Sequence, residues 1–425
     1  MNDSFDVAVI GGGPAGMMAA GRAAELGARV VLLEKNPVLG KKLLLTGGGR
    51  CNILNAEFDT HTLVAKYGNK GKPLYSAFSQ FDAQATWDFF ESRGLKLKVE
   101  PERRVFPVSD MSADVRAALA AYMAEGKVTV KTGVSVKGLR CADGLITQIN
   151  YDSGFLKAGN IILATGGKSH PETGSTGDGF KWMRELGLDV AWPEAALVPV
   201  VIRNPWVKDV AGISLQDVKL TVWQGKTKKE SRTGKILFTH VGLSGPLVLN
   251  MSKNIGALLK TGDVTLSIDL FPKIDPGMLD KKIIEVFERG KNKMIKNSVG
   301  ELVQPHLGHV ILALAGIDPE VPLHQLTREN RLAFGTFLKD LPMKVSGLLG
   351  EDQAIVTGGG VDLKEVEFKT MRSKKFSNLF LAGDILDFDR PSGGFSLQIC
   401  WTTGYVAGSG AAEGAGHLFQ GKTAR

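Results

Sequence analysis

The sequence predicts an α/β fold built on a parallel sheet, interrupted by an insertion that is first β-rich and then helical. Three observations predict it. An apolar, β-branched run near the start ends in clustered glycines and passes into an alanine-rich helical stretch. Two more short apolar runs, 161–165 and 378–382, end in Thr-Gly and Gly-Asp and lie over two hundred residues apart. Between them the residue pattern changes, at about 195 and again at about 276.

The opening element is the strand 5–10 (FDVAVI), apolar throughout, as a strand covered on both faces should be. Gly11 to Gly16 (GGGPAG) follows at once, then the helix former MMAAGRAAELG, ending at Gly27. A second strand, 28–33 (ARVVLL), ends at Glu34. Each part has a physical job in binding a dinucleotide. Gly11 permits the tight turn, Gly13 lets backbone approach a pyrophosphate, and Gly16 lets helix and strand pack closely. Pro14 and Ala15 open the helix, whose N-terminal N–H groups and dipole favour phosphate. Glu34, 18 residues after Gly16, can accept hydrogen bonds from a ribose diol and disfavours a 2′-phosphate, which argues against NADP here. Strand, glycines, helix, strand and acid in this order form the Rossmann fingerprint, which leaves FAD and NAD as its two candidates.

The strands 161–167 (IILATGG) and 378–384 (NLFLAGD) decide between them. With the opening fingerprint they resemble the paired signatures of flavoproteins of the glutathione-reductase type. That resemblance implies FAD, with Thr165 and Gly166 closing the nucleotide domain and Gly383 and Asp384 beside the ribityl–pyrophosphate part. A closer resemblance lies in 40–52 (GKKLLLTGGGRCN), 164–169 (ATGGKS), 238–246 (FTHVGLSGP), 357–361 (TGGGV) and 391–398 (PSGGFSLQ). These segments are similar to those of the BaiN/aminoacetone-oxidase-like flavoproteins, in order and over nearly the whole chain. The family pattern departs at His170, where tyrosine is common, and at Ser396, where asparagine is common. The resemblance implies further FAD contacts at Lys35, Lys42, Thr46, Gly47, Gly48, Arg50, Cys51, Asn52, Val134, Gly394, Phe395 and Ser396.

Because the Gly-Asp strand and the last helix come at the end, residues 1–190 and 350–425 are expected to form one discontinuous FAD domain. Residues 191–349 would be the inserted substrate domain. Within it, 195–270 is β-rich, with β-branched runs at 198–202, 218–222 and 264–268, whereas 276–341 has helical spacing. The lysine-rich 289–296 (RGKNKMIK) reads as a solvated helix end.

Composition bounds the function. With 43% hydrophobic and 23% charged residues in a chain of 425, this is an ordinary globular enzyme of more than one core. A net charge of +8 fits a pyrophosphate cofactor or an anionic substrate as well as it fits a polyanion. No RNA- or DNA-binding module pattern appears, so a small molecule rather than nucleic acid is the expected partner. The three cysteines, Cys51, Cys141 and Cys400, form no C-x-x-C pair, and no metal-ligand spacing stands out, so no metal is expected. The start runs directly into a strand, and no apolar run reaches the ~18–20 residues needed to cross a bilayer, so the protein is expected in the cytoplasm, off the membrane.

The chemistry is expected where glycines admit a flat ring. Gly393 to Ser396 opens the last helix, whose N-terminus near the flavin pyrimidine edge would stabilise negative charge. Thr46 to Asn52 would form the other wall, with Arg50 and Asn52 as donors. Candidate catalytic side chains are Lys168, His240 and Cys51, although a small buried packing role suits Cys51 better than a redox thiol. The expected activity is an FAD-dependent oxidoreductase acting on a small organic molecule by hydride transfer through flavin N5. NADH or NADPH would be a transient donor, since no second strand–GxGxxG–helix unit is present. The rivals are an oxygen-using oxidase of amine-type substrates and a non-catalytic flavoprotein that binds nucleic acid or a protein partner.

Overall fold

A computed structural model describes residues 5–349 and 356–420. The chain divides into two compact units, residues 1–195 with 355–425, and residues 196–354.

The first unit is organised by a seven-stranded sheet. Its parallel part runs in the order Leu379–Leu381, Ala158–Leu163, Phe5–Ile10, Val30–Glu34, Thr129–Thr132. Val366–Glu367 and Arg372–Ser373 extend the Leu379–Leu381 edge in antiparallel fashion. In the central strand Val7, Ala8 and Val9 are fully buried, because helices cover both faces of a parallel sheet. The register Val7↔Val30 through Ile10↔Leu33 and Ile10↔Leu163 brings Ile10, Leu33 and Leu163 into line, so the loops that follow them emerge at the same edge. The helix Pro14–Glu25 packs through alanines and glycines against the last helix, Phe395–Gln420. Smaller sheets complete the unit, among them the antiparallel Leu54–Asn55, Arg104–Pro107 and Leu97–Glu100.

The second unit is a closed six-stranded barrel in the order Val200–Ile202, Gly242–Ser244, Thr227–Thr239, Ser214–Gln224, Val264–Asp269, Leu341–Leu348. Two features differ from the sequence expectation. The helix Pro246–Leu259 lies inside the stretch read as β-rich; Leu247, Val248, Met251, Ser252 and Ile255 bury one helical face of it. The helices Pro276–Arg289, Pro305–Leu314 and Arg328–Lys339 interrupt the barrel rather than follow it, since Leu341–Leu348 closes the ring against Val200–Ile202. The segment 289–296 begins at a helix end, and its residues 291–294 are exposed. Gly290 caps the helix at Arg289, and buried Ile295 pulls the chain back toward the core.

Among the described residues no helix is long and apolar enough to cross a membrane.

Candidate functional site

The aligned strand ends of the first unit open on a cleft. The glycine turn forms its floor, and the reasons are geometric. Gly11 has φ +105°, and a Cβ there would fall 2.4 Å from the Ala164 carbonyl oxygen. A Cβ at Gly16 would fall 1.9 Å from the Gly11 carbonyl oxygen, so only glycine lets helix and turn come this close. Gly13 is different in kind. It is the extended N-cap of Pro14–Glu25, carries no side-chain cap, and a Cβ there would meet no atom within 4 Å. The helix N-terminus therefore presents free space and uncapped N–H groups to the cleft, a cradle that fits a pyrophosphate.

Glu34, at the end of its strand, is buried and hydrogen-bonded through both carboxylate oxygens. Its Oε2 accepts from the Gly12 N–H at 2.7 Å, and its Oε1 accepts from the backbone and side-chain amides of Asn36 at 2.7 Å each. The acid thus braces the glycine turn while lining the cleft. Next to it, Lys35 Nζ donates to Thr176 Oγ1 at 2.5 Å and to Asp178 Oδ2 at 2.8 Å. Asn36 Nδ2 donates to the Thr173 carbonyl at 2.9 Å, and Lys41 Nζ to the Glu172 carbonyl at 2.6 Å. These side chains of residues 35–41 reach across some 140 positions of sequence to hold the 172–178 segment as a wall. Burial works against the Asp178 carboxylate, but Lys35 and Thr176 hold its pKa below the usual value.

The opposite end of the cleft is ionic. Lys42 Nζ donates to Ser169 Oγ at 2.7 Å and lies 3.6 Å from Asp384 Oδ2. Arg390, whose side chain is fully buried, donates to Asp384 Oδ1 at 2.7 Å. Burial alone would raise the Asp384 carboxyl; Arg390 and Lys42 bring it below the ordinary aspartate value. Ser396 and, one turn on, Cys400 present the last helix to the same space. Burial and the neighbouring Asp384 both raise the Cys400 thiol, which holds it neutral.

Thirteen of the sequence-predicted residues line this cleft: Gly11, Gly13, Pro14, Ala15, Glu34, Lys35, Lys42, Thr46, Val134, Thr165, Gly166, Asp384 and Ser396. The others are placed elsewhere. Gly16 and Gly383 pack beneath it, the latter with a virtual Cβ 2.8 Å from Ala15 Cβ. Gly394 is outside the cleft lining, and the Leu54 carbonyl group lies 2.4–2.5 Å from where its Cβ would be, so no side chain fits there. Phe395 is buried, and its carbonyl accepts from Tyr67 Oη at 3.0 Å. Gly47 and Gly48 lie in an exposed turn. Arg50 is not a free donor on the wall: its guanidinium pairs with Glu100 and Asp110 and lies 4.2 Å from the Phe106 ring centroid. Asn52, with its amide oriented to satisfy both ends, donates to the Leu54 carbonyl and accepts from the Gly394 N–H at 3.0 Å.

The catalytic candidates fare unevenly. Cys51 is fully buried and burial pushes its thiol up to about 12, opposed by a hydrogen bond from Thr46, so no thiolate is present at neutral pH. Lys168 is half-buried beside Gly177, next to the 172–178 wall. His240 is exposed at the turn between two barrel strands of the second unit.

Sequence reasoning missed Asn36, Lys41, Trp182, Cys400 and the 173–178 segment, all of which line the cleft. Two signals were available. TGSTGD follows the Thr-Gly strand and is dense in turn and hydroxyl residues, and Cys400 stands four positions after Ser396 on one helix face.

Known proteins resemble this chain along nearly its whole length. The family model described as the HI0933-like protein Rossmann domain matches residues 5–410. A 3-dehydro-bile acid delta(4,6)-reductase of Clostridium scindens is 30% identical over 411 residues, covering 96% of this chain and 99% of its own length. A ribosomal RNA dihydrouridine synthase of Escherichia coli is 28% identical over 412 residues, 95% of this chain and 97% of its own. Among solved structures, 3-ketosteroid delta1-dehydrogenase from Sterolibacterium denitrificans shares the fold with a TM-score of 0.55 at 13% identity, covering 97% of this chain and all of that one. With a dinucleotide cradle at the strand ends and a family match along nearly its whole length, the chain belongs to the HI0933-like Rossmann family and is an FAD-dependent oxidoreductase.

Proposed function

We propose that the protein is a reductase that adds hydrogen across a carbon–carbon double bond conjugated to a carbonyl group, drawing electrons from NADH or NADPH. The observation that carries this reading is the pair of full-length relatives. One is named for reducing a delta(4,6) 3-oxo compound and the other for making dihydrouridine, the product of saturating a uracil double bond beside a carbonyl. The chemistry balances as oxidation of NAD(P)H to NAD(P)+, with one hydride and one proton added to the double bond.

Within the chain, Gly13 and the N-terminus of Pro14–Glu25 would hold the pyrophosphate, and Glu34 would meet the adenosine ribose. Lys42 and Asp384 would flank the ribityl end, with Arg390 keeping Asp384 ionised and in place. FAD, when bound there, supplies a hydride carrier at N5. The N-terminus of the last helix at Ser396 would favour negative charge on the bound ring. The nicotinamide donor has no Rossmann unit of its own among the sequence motifs, so it would visit the flavin face transiently, before the unsaturated substrate.

An anaerobic visible spectrum tests this directly. NADH or NADPH should bleach the flavin band, and a 3-oxo-4,6-diene steroid or a uridine-containing transcript should restore it. Bleaching only by an amine, with reoxidation only by oxygen, would make the protein an oxidase. A flavin band that no donor bleaches would refute the reductase reading.

A further inference from the structure

The barrel unit carries a concentration of positive charge on one hairpin. In the hairpin of Ser214–Gln224 and Thr227–Thr239, residues 218–237 hold six basic side chains and a single acid, Glu230. That acid is occupied by Arg232 at 2.5 Å and by Asn254 Nδ2 at 2.9 Å. Lys226, Lys228 and Lys229 at the hairpin end are exposed and form no ion pair among the described residues. Three neighbouring ammonium groups without an ion-pair partner among the described residues repel one another.

A second observation is independent of charge. Val218, Leu220 and Val222 point into the barrel, so Thr221 and Trp223 point outward. The Trp223 indole is half-buried and fixed in orientation, its Nε1 donating to Ser267 Oγ on the adjacent strand at 3.0 Å. Trp223 pairs with Lys228 on one side and with Thr265 on the other, and Thr265 pairs with exposed Lys344 on the next strand. The outer face therefore sets one immobilised aromatic ring between lysines on both flanks. Cations that follow a phosphate backbone, together with a ring on which a base can stack, are what single-stranded nucleic acid binding requires.

We propose that this outer barrel face, centred on Trp223 and bounded by Lys226, Lys228, Lys229 and Lys344, docks single-stranded RNA. The modest total charge of +8 conceals it, because the cations are concentrated rather than numerous. The docking rests on the reductase reading only for what the bound strand would present, a uracil ring, and not for the binding itself.

The test is fluorescence anisotropy of a labelled oligouridine against the FAD-loaded full chain over a salt series. Combined Lys226→Gln, Lys228→Gln and Lys229→Gln substitution should reduce the slope of log affinity against log salt by about 2, at about 0.7 for each phosphate that is no longer neutralised. Trp223→Ala should weaken binding about 5- to 150-fold, while Trp223→Phe retains most of it. A melting curve identifies any Trp223 variant that fails to fold, and the lysine variant, altered only at exposed positions, gives the answer in that case. An unchanged slope, or no binding by the unaltered protein, overturns the proposal. So does equal, lysine-dependent binding to phosphatidylglycerol vesicles, which would assign the face to anionic membranes. If RNA binds as expected but no unsaturated acceptor reoxidises the flavin, the reductase reading fails and the docking face stands.

Discussion

Gly13→Val separates the cradle from the fold, and the structure sets the size of each effect. Gly13 is extended, with φ −79° and ψ −177°, a conformation valine adopts readily and one suited to a residue before proline. Its virtual Cβ touches nothing within 4 Å. The substitution should therefore change the stability of the FAD-free protein by no more than about 1 kcal/mol: a poorer N-cap costs about that much, and reduced freedom of the unfolded chain partly offsets it. The new methyl groups occupy the space from which phosphate oxygens would approach the helix N-terminus. Losing two charge-assisted hydrogen bonds at about 1.5–3 kcal/mol each predicts FAD affinity lower by about two to four powers of ten.

The assay has two readouts, flavin retained per chain after purification and the melting midpoint of the FAD-free protein. Gly16→Ala is the contrast. Its Cβ would lie 1.9 Å from the Gly11 carbonyl oxygen, so it should lower the midpoint or prevent folding altogether. A Gly13→Val protein that folds and binds FAD with unaltered affinity would refute the placement of the pyrophosphate, whatever Gly16→Ala does.

Three further outcomes follow from the same site. Glu34→Ala leaves the Gly12 N–H and the Asn36 amide without their acceptor, so a loss of about 1–3 kcal/mol per buried donor should appear in denaturant unfolding, together with loss of FAD; unchanged unfolding would mean that the turn is braced by other groups. Asp384 has its folded-state pKa depressed below the unfolded value of about 3.9, so its stabilising contribution is complete above that pH and fades as pH falls toward the folded pKa; Asp384→Asn should flatten this acid limb of the stability curve, and an unaltered limb would sink the assignment. Iodoacetamide on the native protein should modify exposed Cys141 and spare buried Cys51 and Cys400, as counted by mass spectrometry; rapid labelling of Cys51 would revive it as a reactive thiol.

The parts of the fold legible in the sequence were those whose physics is local. FDVAVI, GGGPAG and the alanine-rich helix specify strand, turn and helix within neighbouring residues, and the structure forms them as Phe5–Ile10 and Pro14–Glu25. The barrel was only partly legible. Its short strands were visible as β-branched runs, but Leu341–Leu348 closes the ring with a partner some 140 positions away, and no local pattern reveals such a pairing. The helix Pro246–Leu259 was hidden because LVL and ALL read equally well as strand; tertiary burial of one face decided for helix.

The same distinction explains the site. Arg50 and Asn52 are the right residue types for a cofactor wall, in a segment resembling one, yet neither side chain faces the cleft. Glu100 and Asp110, fifty and sixty positions away, capture the guanidinium, and the Gly394 N–H, 342 positions away, engages the Asn52 amide. Glu34 shows the converse. Its position at the strand end, read from the sequence, is correct, but its three protein donors make it a brace for the glycine turn, a role beyond the ribose contact proposed for it. A motif fixes where a backbone goes; what its side chains do is settled by charges and amides that arrive from distant sequence. Asp384, the residue through which the C-terminal strand joins the cleft, is therefore the position where a change should be felt by Lys42 and Arg390 at once. In a double-mutant cycle, Lys42→Met and Arg390→Met should each lower FAD affinity in the presence of Asp384 and have smaller effects once it is asparagine.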